Sequence, residues 1–173
     1  MKTKFTMGGK PITLLGKELS IGERAPSFKL IGSELNVLTN DLFYGKVIIL
    51  SCVPSVDTPI CSLETRRFHK EALKLSDDIR VITVSKDLPF AQSRWCAANG
   101  VGNIIMASDY RDFGFAKDYG VLIEETGLLA RAVFVLTKQG KIAYIQKVPE
   151  VAQEPMYAPI LAVAKELIKG KKQ

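Results

Sequence analysis

Apolar and polar positions alternate between two periods along this chain. Lys46-Val47-Ile48-Ile49-Leu50-Ser51-Cys52-Val53 is apolar on both alternating faces, as expected of a buried central strand. A helix-forming run, Ser62 to Leu75, follows it after a short proline-containing loop. Arg80 to Ser85 reads as the next strand, and Asp87-Leu88-Pro89 opens a helix that Asn99-Gly100 ends. Ile104 to Met106 is a short strand, and Asp112 to Asp118 a short helix closed by Gly120. Arg131 to Thr137 and Lys141 to Val148 flank Lys138-Gln139-Gly140, a hairpin signal. The last helix carries Tyr157, Ile160, Leu161, Ala164, Leu167 and Ile168 on one face, with Pro159 near its start. Upstream, Gly8-Gly9 separates Thr3–Met7 from Pro11–Leu15 as a hairpin turn. Loops at Glu23–Pro26 and Gly32-Ser33 bracket a strand near Phe28–Ile31.

Strand–helix–strand–helix alternation followed by a hairpin and a helix implies an α/β fold, a mixed central sheet flanked by helices. With 173 residues and no repeat or linker, residues 1–173 read as a single domain. No apolar run approaches membrane-spanning length, and Met1 to Gly9 lacks the apolar stretch of an export signal. A soluble protein with a cytoplasmic location is expected.

The net charge of +6 raises the question of nucleic acid. Its lysines are scattered, however, and several (Lys2, Lys4, Lys169, Lys171, Lys172) sit at the ends, as solvated tails do. Without basic residues interleaved with aromatics, no nucleic-acid partner is expected. The three cysteines include no Cys-x-x-Cys pair, and His69 is the sole histidine, so no metal site is expected. Redox chemistry remains the best use of the thiols.

Pro54-Ser55-Val56-Asp57-Thr58-Pro59-Ile60-Cys61 is the most informative stretch. With Thr58 as N-cap, Pro59 takes the first helical position, where its missing N–H costs nothing. Cys61 then lies in the first turn, at the positive end of the helix dipole, an environment that favours a thiolate. His69 is about 12 Å further along the same helix axis, too far to form a Cys-His pair, and reads as a surface or helix-flank residue. Arg131, at the head of an apolar strand, could hold a thiolate and a peroxide oxygen together. On spacing alone the better reading is a strand-end arginine paired with a surface carboxylate. Cys96, on the following helix, is either a small buried hydrophobe or a second thiol able to condense with an oxidised first one. Cys52, inside a buried strand, reads as an inert core residue.

Thr58-Pro59-Ile60-Cys61 resembles the peroxidatic-cysteine motif of the peroxiredoxins. Asp87-Leu88-Pro89-Phe90-Ala91-Gln92-Ser93-Arg94-Trp95-Cys96 is similar to the resolving-cysteine helix of the thioredoxin-dependent, atypical two-cysteine branch. Gly127-Leu128-Leu129-Ala130-Arg131-Ala132-Val133 is similar to its arginine segment. The resemblance implies a thioredoxin-like fold with an N-terminal β-hairpin, usually as a homodimer. It implies that Cys61 is peroxidatic, that Cys96 is resolving through an intramolecular Cys61–Cys96 disulfide, and that Thr58 and Arg131 orient thiolate and peroxide. Pro54 and Pro59 would shape the pocket loop and shield the thiolate. The substrates would be hydrogen peroxide and alkyl hydroperoxides and the reductant thioredoxin or similar, with no cofactor. Under this resemblance Arg131 changes from a surface residue to a catalytic one. The alternatives are a disulfide oxidoreductase of the same fold, which would want a cysteine where Glu64 stands, and a non-catalytic binding or chaperone module.

Overall fold

The structure, a computed structural model, describes residues 4–169. Lys2, Lys171 and Lys172, read as solvated tails, and Thr3, at the start of the first hairpin arm, lie outside the described residues. Lys4 and Lys169 are exposed. In chain order the strands are β1 (Phe5–Met7), β2 (Lys10–Ile12), β3 (Leu14–Leu15), β4 (Lys29–Ile31), β5 (Val37–Thr39), β6 (Val47–Cys52), β7 (Ile79–Ser85), β8 (Ile105–Ser108), β9 (Leu122–Ile123), β10 (Ala132–Leu136) and β11 (Ile142–Lys147). The helices are α1 (Pro59–Ala72), α2 (Pro89–Asn99), α3 (Gly114–Asp118) and α4 (Tyr157–Lys169).

Seven strands form the central sheet in the order β11-β10-β6-β7-β8-β4-β5. The middle is parallel, β6 beside β7 beside β8, whereas β10, β11, β4 and β5 run antiparallel to their neighbours. Two crossovers of one hand, β6-α1-β7 and β7-α2-β8, place α1 and α2 on the same face of the sheet. Every residue of β6 is buried, because both of its faces are covered. Val47 and Ile49 pack with Phe68 of α1 and with Tyr157, Ile160, Leu161 and Ala164 of α4. Ile48, Leu50 and Cys52 point the other way, into a core closed by Phe115, Ala116 and Tyr119 around α3.

Most expected elements are present, and their ends differ for local reasons. Helix α1 stops at Ala72, three residues short of Leu75, where Leu73 N–H already folds back to His69 and Glu71 carbonyls. Helix α3 starts at Gly114 because the Asp112 carboxylate accepts the Gly114 N–H (2.7 Å), leaving Asp112 outside as a turn residue. Leu14-Leu15 does not continue the second arm of the hairpin. It pairs with β9, a two-residue strand that no period could reveal.

The hairpin of β1 and β2 turns at Gly8-Gly9, both at positive φ (61° and 81°), which a tight hairpin needs. It docks on the loop after β11: Thr6 N–H donates to the Pro149 carbonyl, and Val151 N–H to the Thr6 carbonyl, each at 2.8 Å. The Glu150 carboxylate then accepts the N–H groups of Gly8 (3.0 Å), Gly9 (2.8 Å) and Ala152 (2.7 Å) and the Thr6 hydroxyl (3.0 Å). These donors, Ala152 and Gly9 foremost, hold its pKa down at about 2, against an ordinary 4.5. A depressed carboxyl adds stability that is complete above its unfolded value and disappears as pH falls through the folded one. Hairpin docking should therefore weaken between pH 4.5 and about 2. Amide chemical shifts of Gly8 and Gly9 followed by NMR should titrate in that window, and Glu150→Gln should abolish the titration.

Candidate active site

Residues 53–58 leave the carboxyl end of β6 beside the loop that leaves β7, with Val53 N–H bonded to the Val84 carbonyl at 3.0 Å. Ligand sites of open α/β sheets gather at such carboxyl edges. Thr58 is the N-cap of α1, with extended backbone (φ −88°, ψ 148°), and its Oγ1 accepts the Cys61 N–H at 3.4 Å. The same hydroxyl donates to the Ser55 carbonyl at 3.0 Å, which ties the cap to the loop. Pro59 occupies the first helical position and is exposed, whereas Pro54 is buried under the loop. Cys61 is fully buried in the first turn, and its carbonyl accepts the Thr65 hydroxyl (2.7 Å).

Arg131 comes from the opposite direction. Because β10 is antiparallel to β6, with Ala132 opposite Cys52, the residue before β10 stands next to the start of the cysteine loop. Ala132 shares a face with Cys52, so Arg131 points to the α1 face. Its side chain is only 2% exposed, and each of its nitrogens has a partner: Nε donates to the Val151 carbonyl (2.7 Å), Nη1 to Glu64 Oε1 (2.6 Å) and Nη2 to Cys61 Sγ (3.1 Å). Arg131 is thus not a strand-end arginine paired with a surface carboxylate. Its partner Glu64 is 0% exposed, and Glu64 Oε2 accepts the Ser51 hydroxyl at 2.7 Å. Burial pushes the Glu64 carboxyl up, and Arg131 and Ser51 pull against it. Burial opposes the Arg131 charge too, but Glu64 and then Cys61 outweigh it, and its pKa moves up.

Cys96 lies in the last turn of α2, half-buried against Val56, Trp95, Val101 and Met106. All three cysteines are free thiols here. Burial raises the pKa of the Cys96 thiol. Burial, reinforced by Asp109 and Glu64, pushes that of Cys52 well above the usual cysteine range, in keeping with an inert core residue. His69 sits half-buried on the flank of α1, where its Nδ1 accepts the Asn103 N–H at 3.2 Å. Thr58, Cys61 and Arg131 are brought together; Cys96 is on the neighbouring helix; His69 and Cys52 stand apart.

Glu64 and Ser51 were missed as parts of the site. One signal was available: Cys61, Glu64, Thr65 and Phe68 are the buried residues of α1, a stripe at helical spacing. A carboxylate on a buried stripe demands a buried cation, and Ser51 is the one hydroxyl in an otherwise apolar strand facing it.

The redoxin family model matches residues 20–161 of this chain. A thiol peroxidase of Bacillus subtilis is 45% identical over 166 residues, covering 96% of this chain and 99% of the relative. A second, from Halalkalibacterium halodurans, is 46% identical over 161 residues, covering 93% and 96%. Among solved structures, a peroxiredoxin-like protein from Aquifex aeolicus superposes with a TM-score of 0.87 at 40% identity, covering 96% of this chain and 98% of that one. A thiol peroxidase from Chromobacterium violaceum has a TM-score of 0.84 at 22% identity over 98% of both chains, a likeness of fold. The fold is thus the thioredoxin-like one that the sequence led us to expect. The chain belongs to the redoxin family, among its thiol peroxidases.

Removing one partner of a buried ion pair leaves an uncompensated charge and typically costs about 3–5 kcal/mol. Glu64→Ala should lose roughly that much unfolding free energy in urea, whereas Glu64→Gln, which keeps an acceptor for Arg131, should lose less.

Proposed function

We propose that this chain, as a single domain over residues 1–173, reduces hydrogen peroxide and alkyl hydroperoxides by thiol chemistry at Cys61. The observation that carries the reading is the 3.1 Å contact between the buried Arg131 Nη2 and the buried Cys61 Sγ. A fixed guanidinium there holds the sulfur in place and offers a charge-assisted donor to the peroxide. In the first step the Cys61 thiolate attacks the terminal peroxide oxygen and the O–O bond breaks. One oxygen stays on sulfur as a sulfenic acid, and the other leaves as water or an alcohol after taking a proton. Arg131 and the Thr58 hydroxyl stabilise the charge moving onto the leaving oxygen. Pro54 and Pro59 shape the loop around the sulfur.

In the second step the Cys96 thiol attacks the Cys61 sulfenic acid, forming a Cys61–Cys96 disulfide within one chain and releasing water. A dithiol reductant of the thioredoxin type then restores both thiols by exchange. Disulfide sulfurs lie about 2.05 Å apart, with Cα atoms usually within about 6.8 Å. Thiols inside two separate intact helices, as here, reach that geometry after the first turn of α1 and part of α2 open. The catalytic steps use no metal or organic cofactor. The protein works as a homodimer in the cytoplasm, with no nucleic-acid partner; no helix among the described residues is long and apolar enough to cross a membrane. Against disulfide-isomerase chemistry stands Glu64, which occupies the position a second active-site cysteine would need and is committed to Arg131.

Cys61→Ser should abolish peroxide turnover in a thioredoxin-coupled assay. Cys96→Ser should consume one equivalent of peroxide and stop as a sulfenic acid that a dimedone-type probe tags. Peptide mapping of peroxide-treated wild type should recover the Cys61–Cys96 crosslink within one chain. Loss of turnover in Cys52→Ser instead would overturn the assignment.

Losing a donor aimed at developing negative charge typically costs about 100- to 1000-fold in rate. Arg131→Met should slow single-turnover peroxide reduction by about that factor. Arg131→Lys should recover only part, because an ammonium cannot bond Cys61, Glu64 and Val151 at once as the planar fork does.

A further inference from the structure

Between the two cysteine-bearing helices stands a carboxylate that the chemistry above does not use. Asp87 lies in the three-residue loop from β7 to α2, half-buried, two positions before Pro89. Its Oδ1 accepts the Ser55 hydroxyl at 2.7 Å. Its Oδ2 accepts the Val56 N–H at 2.9 Å and the Ser85 hydroxyl at 2.6 Å. Among the described residues no lysine or arginine forms an ion pair with it. The charge therefore rests on three neutral donors, two of them in the cysteine loop.

Those contacts extend in both directions. Ser55 accepts the Asp57 N–H on its hydroxyl (3.1 Å) and the Thr58 hydroxyl on its carbonyl (3.0 Å), and Thr58 caps the Cys61 N–H. On the α2 side, Ser85 Oγ accepts from Gln92 Nε2 (3.0 Å), which also donates to the Ala107 carbonyl (2.9 Å). The Ser108 hydroxyl donates to the Asp87 carbonyl. A second tie runs between the neighbours of the two thiols: Trp95 Nε1 donates to Ser62 Oγ at 3.2 Å. Opening either helix start breaks bonds to one or both of these ties.

We propose that Asp87 is a positioning residue, a latch whose carboxylate holds the Cys61 loop closed directly and, through Ser85 and Gln92, the first turn of the Cys96 helix. It sets the rate at which they open for disulfide formation. This rests on the roles assigned to Cys61 and Cys96 above. Closed, the loop presents the capped Cys61 beside Arg131 to peroxide. Once Cys61 is a sulfenic acid, the same bonds delay Cys96, and the latch determines how long the sulfenic acid survives. A longer life gives a second peroxide time to transfer another oxygen to it, leaving a sulfinic acid and a second water or alcohol.

The test uses the full-length reduced enzyme and its single tryptophan, Trp95, as the reporter. Stopped-flow mixing with hydrogen peroxide should give a first phase whose rate rises with peroxide, Cys61 oxidation, and a second that does not, disulfide formation. Hydrogen bonds to a charged group are worth enough that losing one shifts an equilibrium by about 10-fold or more. Asp87→Asn should accelerate the second phase by about 10-fold without accelerating the first, and mass spectrometry should find less sulfinic acid at high peroxide. Ser55→Ala, which removes one donor and leaves the carboxylate, should shift the second phase in the same direction by less. It carries the test if Asp87→Asn fails to fold. Ile160→Val, in α4 away from the latch, should lower stability and leave the ratio of the two rates unchanged, which a merely structural role for Asp87 would not distinguish from the latch variants. A second phase unchanged or slower in the latch variants overturns the proposal. A wild-type enzyme lacking any peroxide-dependent phase overturns the reading of Cys61 and the latch with it.

Discussion

A guanidinium that cannot give up its charge is enclosed in this protein, and much of the surrounding structure is what that enclosure demands. A lone buried cation is prohibitively costly. Arg131 is sustained by a carboxylate on α1, a carbonyl after β11 and a sulfur in the first turn of α1. Glu64 in turn takes a hydroxyl from β6. Three separate pieces of chain, α1, the loop after β11 and β6, converge around one charge, and each must hold its place for the others to be satisfied. The antiparallel insertion of β10 against β6 makes this convergence possible, since it brings the head of one strand to the tail of the other.

The parallel half of the sheet contributes a different constraint. Strands β6 and β7 end at the same edge, and each hands over to a helix that begins with proline. A proline at the first helical position cannot donate back into the preceding loop, so neither helix can lengthen toward it. The loop groups must find partners elsewhere, and Thr58, Ser55 and Asp87 supply them with side chains. The site is therefore held at its edge by short polar residues, whose bonds are individually weak enough to exchange. Beneath them the interlocked apolar layers of α1, α4 and the sheet stay fixed.

How much of this the amino-acid order disclosed depends on range. Interactions within one element were legible: the Thr58 cap, the proline starts, the glycine turn at residues 8–9, the Gly100 stop and the continuous apolar run of β6 all act over a few residues. The two-residue pairing of β3 with β9 spans more than a hundred positions and leaves no periodic trace. Arg131 was ambiguous for the same reason. Its position at a strand head is compatible with water or with the interior, and only the antiparallel register decides. Glu64 stands where a disulfide oxidoreductase would carry a cysteine, and its place among Cys61, Thr65 and Phe68 on the buried stripe marks it as a group needing an internal partner.

Cys52 sits one residue beyond Ser51 and so, by the alternation of a strand, on the opposite side of the sheet from Glu64 and both reactive helices. The sheet acts as an insulating wall between one sulfur and the other two. Local opening of α1 or α2 leaves that wall intact, so the disulfide proposed between Cys61 and Cys96 would have no third thiol with which to reshuffle. On its own side the sulfur is covered by the layer that includes Phe115, Ala116 and Tyr119, and it meets solvent when that layer lifts. Its covalent modification is consequently a clock for opening of that far layer, separate from local opening of α1 or α2.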